Sequence, residues 1–248
     1  MEAYLDNSAT TRVDAQVQEL MKKLMDVDFG NPSSRHQKGV VAEGYIKEAR
    51  QKIAATLKVD PKELIITSGG TESNNMALIG TALAAKRKGN HIITTAVEHP
   101  SVKATASFLE EQGFRITFLS VDSRGQISLE DLKEALTPDT ILVSIMYVNN
   151  EIGTIQPVEE AAKLVHATVP GAVFHVDAIQ AYGKVMIRPK QQGIDLLSVS
   201  SHKFHGPKGA GFLYCSSKVN LHPIIFGGGQ QSGMRSGTEN VPGAAGMG

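Results

Sequence analysis

The sequence predicts an α/β fold in which a mostly parallel sheet lies between helices. Short apolar runs with strand character alternate with longer segments whose apolar residues recur at helical spacing. Such alternation favours a parallel sheet covered on both faces. The 248 residues are 41% hydrophobic and 20% charged, which supplies enough apolar material for a sizeable core. Glycines, 24 in number, mark many of the turns between the segments.

The predicted elements follow one another in a regular order. Strands are predicted at residues 64–67, 91–95, 115–119, 140–146, 172–176, 196–200 and 211–214. Helices are predicted at residues 13–25, 37–57, 71–88, 101–111, 129–136 and 158–167. The Ala/Gly-rich stretch at the end of the sequence is typical of the opening of a helix, and a domain rarely stops there. We therefore expect a truncated chain.

Composition excludes several classes of function. Lys and Arg together number 25, as do Asp and Glu, so the net charge argues against a broad nucleic-acid surface or a polybasic membrane anchor. The single cysteine, Cys215, excludes an internal disulfide and any multi-cysteine metal site. No apolar run is long enough to span a bilayer, and the first residues lack the pattern of a secretory signal. We expect a soluble, cytoplasmic protein that binds neither nucleic acid nor membrane.

A glycine turn follows the first predicted strand and opens a helix. The residues after the strand are SGGTES, at 68–73. Free amides at a helix N-terminus favour an anion such as phosphate, and Gly70 and Thr71 stand at that position. A simple turn capped by Thr71 is the alternative interpretation. The stretch lacks the lysine of a P-loop, which leaves a nucleotide-binding ATPase little support.

Two further strand ends carry an acid and a lysine. Asp177 ends an apolar strand, where it is either a helix cap or a carboxylate that faces a ligand. Lys203 follows another strand and stands between His202 and His205. A lysine among polar groups there loses its proton more easily and can form a Schiff base, although a solvated turn lysine is the commoner case. No acid or cysteine completes a metal set with the two histidines, so no metal site is predicted.

His99 and Asn150 follow two more strands. A histidine can stack on a flat ring or move a proton near neutral pH, although a lone histidine is more often structural. Each signal is weak alone. Together the five strand ends offer phosphate-binding amides, a histidine, an asparagine, a carboxylate and a lysine, which is the set that pyridoxal phosphate (PLP) requires.

Nine stretches then match one family in order along the whole chain. They are YLDNSATT (4–11), FGNPSS (29–34), TSGGTESN (67–74), EHP (98–100), NNEIGT (149–154), HVD (175–177), SHKFHGPKG (201–209), GGGQ (227–230) and RSGTENV (235–241). The sequence resembles the cysteine desulfurases of the iron–sulfur-cluster and nitrogen-fixation type, a branch of the class V aminotransferases. The resemblance implies the large domain of a fold-type-I PLP-dependent transferase with a seven-stranded sheet. Residues 1–14 would associate with the small domain, residues 15–248 would form the large domain, and most of the small C-terminal domain would be missing.

The resemblance also implies a role for each site residue. Lys203 would form the Schiff base with PLP, Asp177 would pair with the pyridine nitrogen, and His99 would stack on the ring and help move protons. The other implied contacts are those of Gln180 with the phenolic oxygen, of Gly70, Thr71, Ser200 and His202 with the phosphate, of Asn150 with the cofactor and the substrate carboxylate, and of Thr238 with the phosphate in the partner subunit of a homodimer.

The reaction implied by the resemblance converts L-cysteine to L-alanine. An enzyme thiolate takes the sulfur as a persulfide and passes it to an acceptor such as an iron–sulfur scaffold protein or a tRNA-thiolation enzyme. The family's nucleophilic cysteine and a carboxylate-binding arginine lie beyond residue 248, and Cys215, at a strand end, is expected to serve packing. The alternatives are a selenocysteine lyase, another class V enzyme, or a PLP-binding fragment that is catalytically incomplete.

Overall fold

Seven strands form one sheet in the computed structural model, which describes residues 3–248. Met1 and Glu2, the first residues of the predicted segment 1–14, lie outside the described residues. The strands are β1 (Leu64–Thr67), β2 (His91–Thr95), β3 (Arg115–Leu119), β4 (Thr140–Met146), β5 (Val173–Asp177), β6 (Leu196–Ser200) and β7 (Gly211–Cys215). Their order across the sheet is β1-β7-β6-β5-β4-β2-β3, and only the pairings of β7 are antiparallel. The predicted mostly parallel, seven-stranded sheet is confirmed.

Eight helices cover the sheet within the described residues. They are α1 (Ala15–Asp26), α2 (Gln37–Leu57), α3 (Gly70–Ala85), α4 (Pro100–Glu111), α5 (Leu129–Ala135), α6 (Val158–Thr168), α7 (Pro189–Gln192) and α8 (Val241–Met247). None of these helices is both long and apolar enough to cross a membrane. α8 confirms the expected helix opening near the end of the sequence.

Most predicted boundaries agree with the structure to within one residue, and the exceptions have local causes. The predicted start of the first helix at residue 13 is wrong because Asp14 caps α1, its carboxylate accepting from Gln16 N at 2.8 Å. The predicted end of the third helix at residue 88 is wrong because Lys88 N bonds Ala85 O in a turn. The short helix α7 has too few residues to show helical periodicity and was not predicted.

The strands other than the edge strand β3 are almost continuous buried runs, because both faces of the sheet are covered there. Along β2 and β4, Ile92 and Leu142 belong to the core under α3 and α4. Their neighbours Ile93 and Val143 point to the opposite core. All four side chains are fully buried. Alternation of this kind places one helical layer on each side of the sheet.

The carboxyl ends of the parallel strands meet along one edge of the sheet, and the N-terminal segment crosses that edge. Thr11 N donates to His202 O at 2.8 Å, and Asp14 N donates to His205 O at 3.0 Å. The segment before α1 is therefore tied to the turn that follows β6. The predicted domain boundary between residues 14 and 15 stays a prediction.

Candidate active site

A cavity of about 750 Å³ opens at the carboxyl edge of the sheet. Residues that follow β1, β2, β4, β5 and β6 line it, as expected for a ligand site in an open α/β sheet. Nine of the ten residues predicted for the site lie on its wall, namely Gly70, Thr71, His99, Asn150, Asp177, Gln180, Ser200, His202 and Lys203. Thr238, the tenth, is not among the described residues that line it, and its side chain is exposed.

One wall of the cavity is the glycine turn at the start of α3. Gly69 has φ 148°, a conformation that side chains disfavour. A Cβ on Gly70 would lie 2.1 Å from Ile179 Cδ1, so a larger residue here would force the Ile179 side chain to move away from the turn. Since α3 has 16 residues and begins at Gly70, its first backbone amides face the cavity wall with the positive end of the helix dipole. This wall suits a phosphate.

Glu72 joins that turn to the later part of the chain. Its carboxylate accepts from Ser68 N at 3.0 Å and from Arg235 Nε at 2.8 Å. Burial opposes ionisation of this carboxyl, but the bonds from Arg235 and Ser68 hold its pKa below the ordinary value. Segment 235–238, predicted to act at a phosphate, is thus anchored beside the turn.

Asp177 is a buried carboxylate at the end of β5. It is 4% exposed, and it accepts from Ile179 N at 3.0 Å and from Asn74 Nδ2 at 2.8 Å. Burial raises the pKa of this carboxyl, while those two bonds and the nearby His99 and Lys203 oppose the rise. A carboxylate has about four lone-pair positions, so Asp177 keeps capacity for a donor in the cavity.

Lys203 lies in the turn after β6, with its amine held by the N-terminal segment. Its Nζ donates to Ser8 O at 2.5 Å and to Ala9 O at 2.8 Å. Burial lowers the pKa of this amine, as does the charge of Lys184, whereas Asp6 and Asp177 act in the opposite direction. A lowered pKa makes the unprotonated, nucleophilic amine more accessible.

Sequence reasoning missed the contribution of the N-terminal segment to this cavity. Ser8, Ala9 and Thr10 line the wall, and Ser8 O also accepts from Gln180 Nε2 at 2.8 Å. Thr10 Oγ1 bonds His202 Nδ1 at 3.0 Å. These residues belong to the motif YLDNSATT, and that motif is the feature of the sequence that could have indicated their place in the site.

Sequence reasoning also missed the structural role of Glu98, a buried carboxyl near the cavity. Glu98 is 2% exposed, and its Oε1 accepts from Met146 N at 2.8 Å and Thr95 Oγ1 at 2.9 Å. Within the described residues its Oε2 has no hydrogen-bond partner. Burial, reinforced by the nearby charge of Asp177, raises the pKa of Glu98 to about 8. The raised pKa favours the protonated form of this carboxyl near neutral pH.

Cys215 lies at the end of β7 and does not line the cavity. Burial is the main reason that the pKa of its thiol is raised to about 12, with Glu63 and Asp195 adding to the effect. Such a thiol is a poor nucleophile because little thiolate is present at neutral pH. Among the described residues, no cluster of three or more His, Cys, Asp or Glu side chains is arranged to hold a metal ion.

Comparison with known proteins shows which family the chain resembles. The sequence pattern described as aminotransferase class-V matches residues 3–248. The chain is 51% identical over 244 residues to the putative cysteine desulfurase IscS 1 of Bacillus subtilis strain 168, covering 98% of this chain and 64% of that protein. It therefore spans less than two thirds of the length of that curated relative.

Solved structures share the fold. A NifS-like protein superposes with a TM-score of 0.97 at 44% identity, covering 100% of this chain and 68% of that one. A structure described as SspA in complex with cysteine superposes with a TM-score of 0.95 at 40% identity, covering 99% and 71% of the two chains. The resemblance inferred from the motifs is confirmed, and the chain belongs to the class-V aminotransferase family.

Proposed function

We propose that this chain is the cofactor-binding part of a cysteine desulfurase, which converts L-cysteine to L-alanine and delivers the sulfur to an acceptor. Class-V aminotransferases are PLP enzymes of fold type I. The observation that carries the proposal is the placement of Lys203 and Asp177 on the wall of one cavity that also contains the glycine turn of α3. These three features match the aldehyde, the ring nitrogen and the phosphate of PLP.

The phosphate end of the cavity fits the cofactor's most charged group. Gly69 and Gly70 line this end of the cavity without side chains, and the α3 amides offer donors there. Thr71, Ser200 and His202 would complete the phosphate contacts from the neighbouring wall. A helix N-terminus and hydroxyl donors bind a dianion well in a partly buried site.

The ring end fits equally well. Asp177 would accept a hydrogen bond from the ring nitrogen through its remaining lone pairs and would keep that nitrogen protonated. Gln180, the residue after Ile179, would donate to the phenolic oxygen. Its Nε2 now donates to Ser8 O, and its Oε1 accepts from Lys184 Nζ at 3.1 Å. The bond that Nε2 donates to Ser8 O can be exchanged for one with a ligand oxygen.

Lys203 and His99 are the groups that act nearest to the reacting atoms. Lys203 would hold the cofactor through Nζ, and its lowered pKa suits it to take a proton from the substrate Cα once the substrate amine replaces it. When bound, PLP supplies an electron sink that withdraws electrons from the bonds at that Cα. His99 would flank the ring face, and we assign it a part in positioning and proton movement.

The proposed substrate is L-cysteine. Support comes from the relatives named cysteine desulfurase and from SspA, whose structure is described as a complex with cysteine. Asn150 would meet the substrate carboxylate beside the cofactor. Cys215 is half-buried and the pKa of its thiol is raised to about 12, which makes it unsuited to receive sulfur. We therefore place the persulfide-forming thiol on a different cysteine of the complete enzyme. The acceptor would be an iron–sulfur scaffold or a tRNA-thiolation enzyme.

We also propose a cytoplasmic homodimer. Thr238 is exposed and stands apart from the cavity of its own chain, while Arg235 anchors its segment to Glu72. This arrangement supports a role for Thr238 at the phosphate of a partner subunit. A reducing compartment would keep a reactive thiol available.

The proposal can be tested without a persulfide-forming thiol. The chain loaded with PLP should exchange the Cα hydrogen of L-cysteine with deuterium from heavy water, as followed by mass spectrometry. Lys203→Ala should reduce this exchange to the rate of free PLP. Lys208→Ala is the matched control, since Lys208 is exposed and lines the same cavity, and it should retain the exchange.

Equal exchange by the Lys203→Ala and wild-type chains would contradict the role of Lys203. Exchange of other amino acids at a rate that exceeds the rate for L-cysteine would contradict the proposed substrate. We expect no persulfide on this chain alone, because its one cysteine is Cys215.

A further inference from the structure

A line of buried hydrogen bonds leads from Asp177 to the ring of His99. Asn74 Nδ2 lies 2.8 Å from Asp177 Oδ2 and 2.9 Å from Ser101 Oγ. Ser101 Oγ in turn lies 2.8 Å from His99 Nδ1. The line joins three separate elements, because Asp177 ends β5, Asn74 belongs to α3, and His99 caps α4.

The direction of each bond follows from Asp177. A carboxylate accepts hydrogen bonds, so the amide of Asn74 turns its NH₂ group toward it. The second N–H of that group points to Ser101 Oγ, which therefore acts as an acceptor. The hydroxyl proton of Ser101 is then left for His99 Nδ1.

The backbone adds a second donor at the same nitrogen. Ser101 N donates to His99 Nδ1 at 3.1 Å, which makes the imidazole ring the N-terminal cap of α4. A proton on Nδ1 would face two donors and would remove the cap. The other ring nitrogen, Nε2, makes no hydrogen bond within the described part of the chain, and His99 lines the cavity.

Burial makes this pattern rigid. Asn74 is 0% exposed, Ser101 8% and Asp177 4%, so water is largely excluded from the line up to Ser101, whereas the His99 residue at its end is exposed. A polar group that lacks a hydrogen-bond partner in such an environment destabilises the folded chain. Each bond in the line also polarises the next one. Reversing one bond would require the others to change as well.

We propose that Asn74 and Ser101 are positioning residues that fix the tautomer of His99, with Nδ1 as an acceptor and the proton on Nε2. His99 then offers an N–H to the cavity and not a lone pair. The ligand atom that faces it is therefore a hydrogen-bond acceptor, such as a carboxylate or phenolate oxygen. The inference rests on the proposed function for the identity of that ligand, whereas the tautomer is a property of the chain alone.

The test measures the tautomer directly in the cofactor-free chain. With ¹⁵N-labelled histidine, the ring nitrogens of His99 are assigned by loss of their signals in His99→Gln. In alkaline buffer, where the imidazole is neutral, Nε2 should resonate in the protonated region and Nδ1 in the unprotonated region. Ser101→Ala should move the two resonances toward each other, as the Nδ1–H tautomer becomes populated.

Three further variants separate positioning from general structural damage. Ser101→Thr keeps the hydroxyl and should restore the wild-type signals. Asn74→Ala should shift them in the same direction as Ser101→Ala, by less, because the Ser101 hydroxyl loses its fixed orientation. Thr105→Val is the matched control, since Thr105 lies one turn further along α4 and its hydroxyl bonds only Ser101 O within the described residues. It should leave the signals unchanged.

A wild-type His99 with its proton on Nδ1 would overturn the inference, as would unchanged signals in Ser101→Ala. Unchanged signals in Asn74→Ala would overturn the role of Asn74. None of these results depends on PLP. A chain that has the expected tautomer but fails the deuterium-exchange test would contradict the proposed function and leave this inference intact.

Discussion

His175 and Asp177 lie two residues apart on β5 and point to the same side of the sheet. Both are buried, at 0% and 4% exposure. His175 uses both ring nitrogens, bonding Ser144 Oγ at 2.8 Å and Ser198 Oγ at 2.9 Å on the adjacent strands. Asp177 accepts two bonds and keeps lone pairs for a ligand. Burial lowers the pKa of His175 to about 3 but raises that of Asp177.

The difference comes from position along the strand. In the middle of a sheet each polar side chain is enclosed by neighbouring strands and must be saturated by them. At the carboxyl end the neighbouring strands stop, and a cavity replaces one set of partners. Burial and residue type alone therefore do not identify a functional group.

The largest expected effect is on stability, at the saturated position. His175→Leu leaves the hydroxyls of Ser144 and Ser198 buried without their partner. Each unsatisfied group costs about 1–3 kcal/mol, so the free energy of unfolding should fall by about 2–6 kcal/mol. His36→Leu, at an exposed histidine, should change it by no more than about 0.5 kcal/mol. Denaturant titration of both variants makes the comparison, and equal stability would contradict a structural role for His175.

Asp177→Asn should weaken the cofactor site. Asparagine keeps one oxygen, which can still accept from Ile179 N, but its NH₂ group replaces the oxygen that accepts from Asn74 Nδ2. It also lacks the charge that attracts a protonated ring nitrogen. Loss of a charged hydrogen bond is worth about 1.5–3 kcal/mol, which corresponds to about 10- to 150-fold weaker PLP binding. Fluorescence or absorbance titration with PLP measures this change. Unchanged affinity would mean that Asp177 does not contact the cofactor.

Glu98 gives stability a pH dependence of defined sign. Its ordinary pKa of 4.5 applies in the unfolded chain and about 8 in the folded chain. The folded chain thus retains a proton that the unfolded chain loses, and stability should decline as pH rises between these values, by up to about 1.4 kcal/mol per pH unit. The stability of Glu98→Gln should depend less on pH over this range, because the glutamine amide does not titrate.

The difference between wild type and Glu98→Gln isolates this effect from the buried histidines. His91 and His175, with pKa values of about 4 and 3, have the opposite effect on stability. Because the unfolded chain binds protons at these histidines first, stability should fall as the pH drops below their ordinary pKa of 6.5. Parallel stability curves for the two proteins would show that Glu98 is ionised in the folded chain.

The smallest effect is expected at Cys215. Its high pKa and partial burial predict slow reaction with thiol reagents in the folded chain and fast reaction after unfolding. Cys215→Ser should leave PLP binding and deuterium exchange unchanged. Rapid labelling of the folded chain would contradict the assignment of this thiol to packing.

The sequence predicted the groups at the strand ends because their signal is local. Asp177 and Lys203 each follow an apolar strand, and that alone places them at the carboxyl edge. The strands themselves were predictable to within one residue, since buried runs of β-branched and leucine residues are short and bounded by turns.

The groups that support the site could not be predicted in the same way. Ser8 bonds Lys203 across 195 positions of sequence, and Asn74 bonds Asp177 across 103. No local pattern contains information about such distant contacts. Asn74 is an amide among the buried residues of α3, and a buried amide requires hydrogen-bond partners. The sequence does not show which partners they are.

The most direct test of the central claim is borohydride reduction of the chain with PLP, followed by peptide mapping. A single reduced adduct on Lys203, absent in Lys203→Ala and retained in Lys208→Ala, is the result expected if the strand-end groups form one cofactor site. An adduct on Lys208 or Lys184, or no adduct in a chain shown to be folded, would contradict the account.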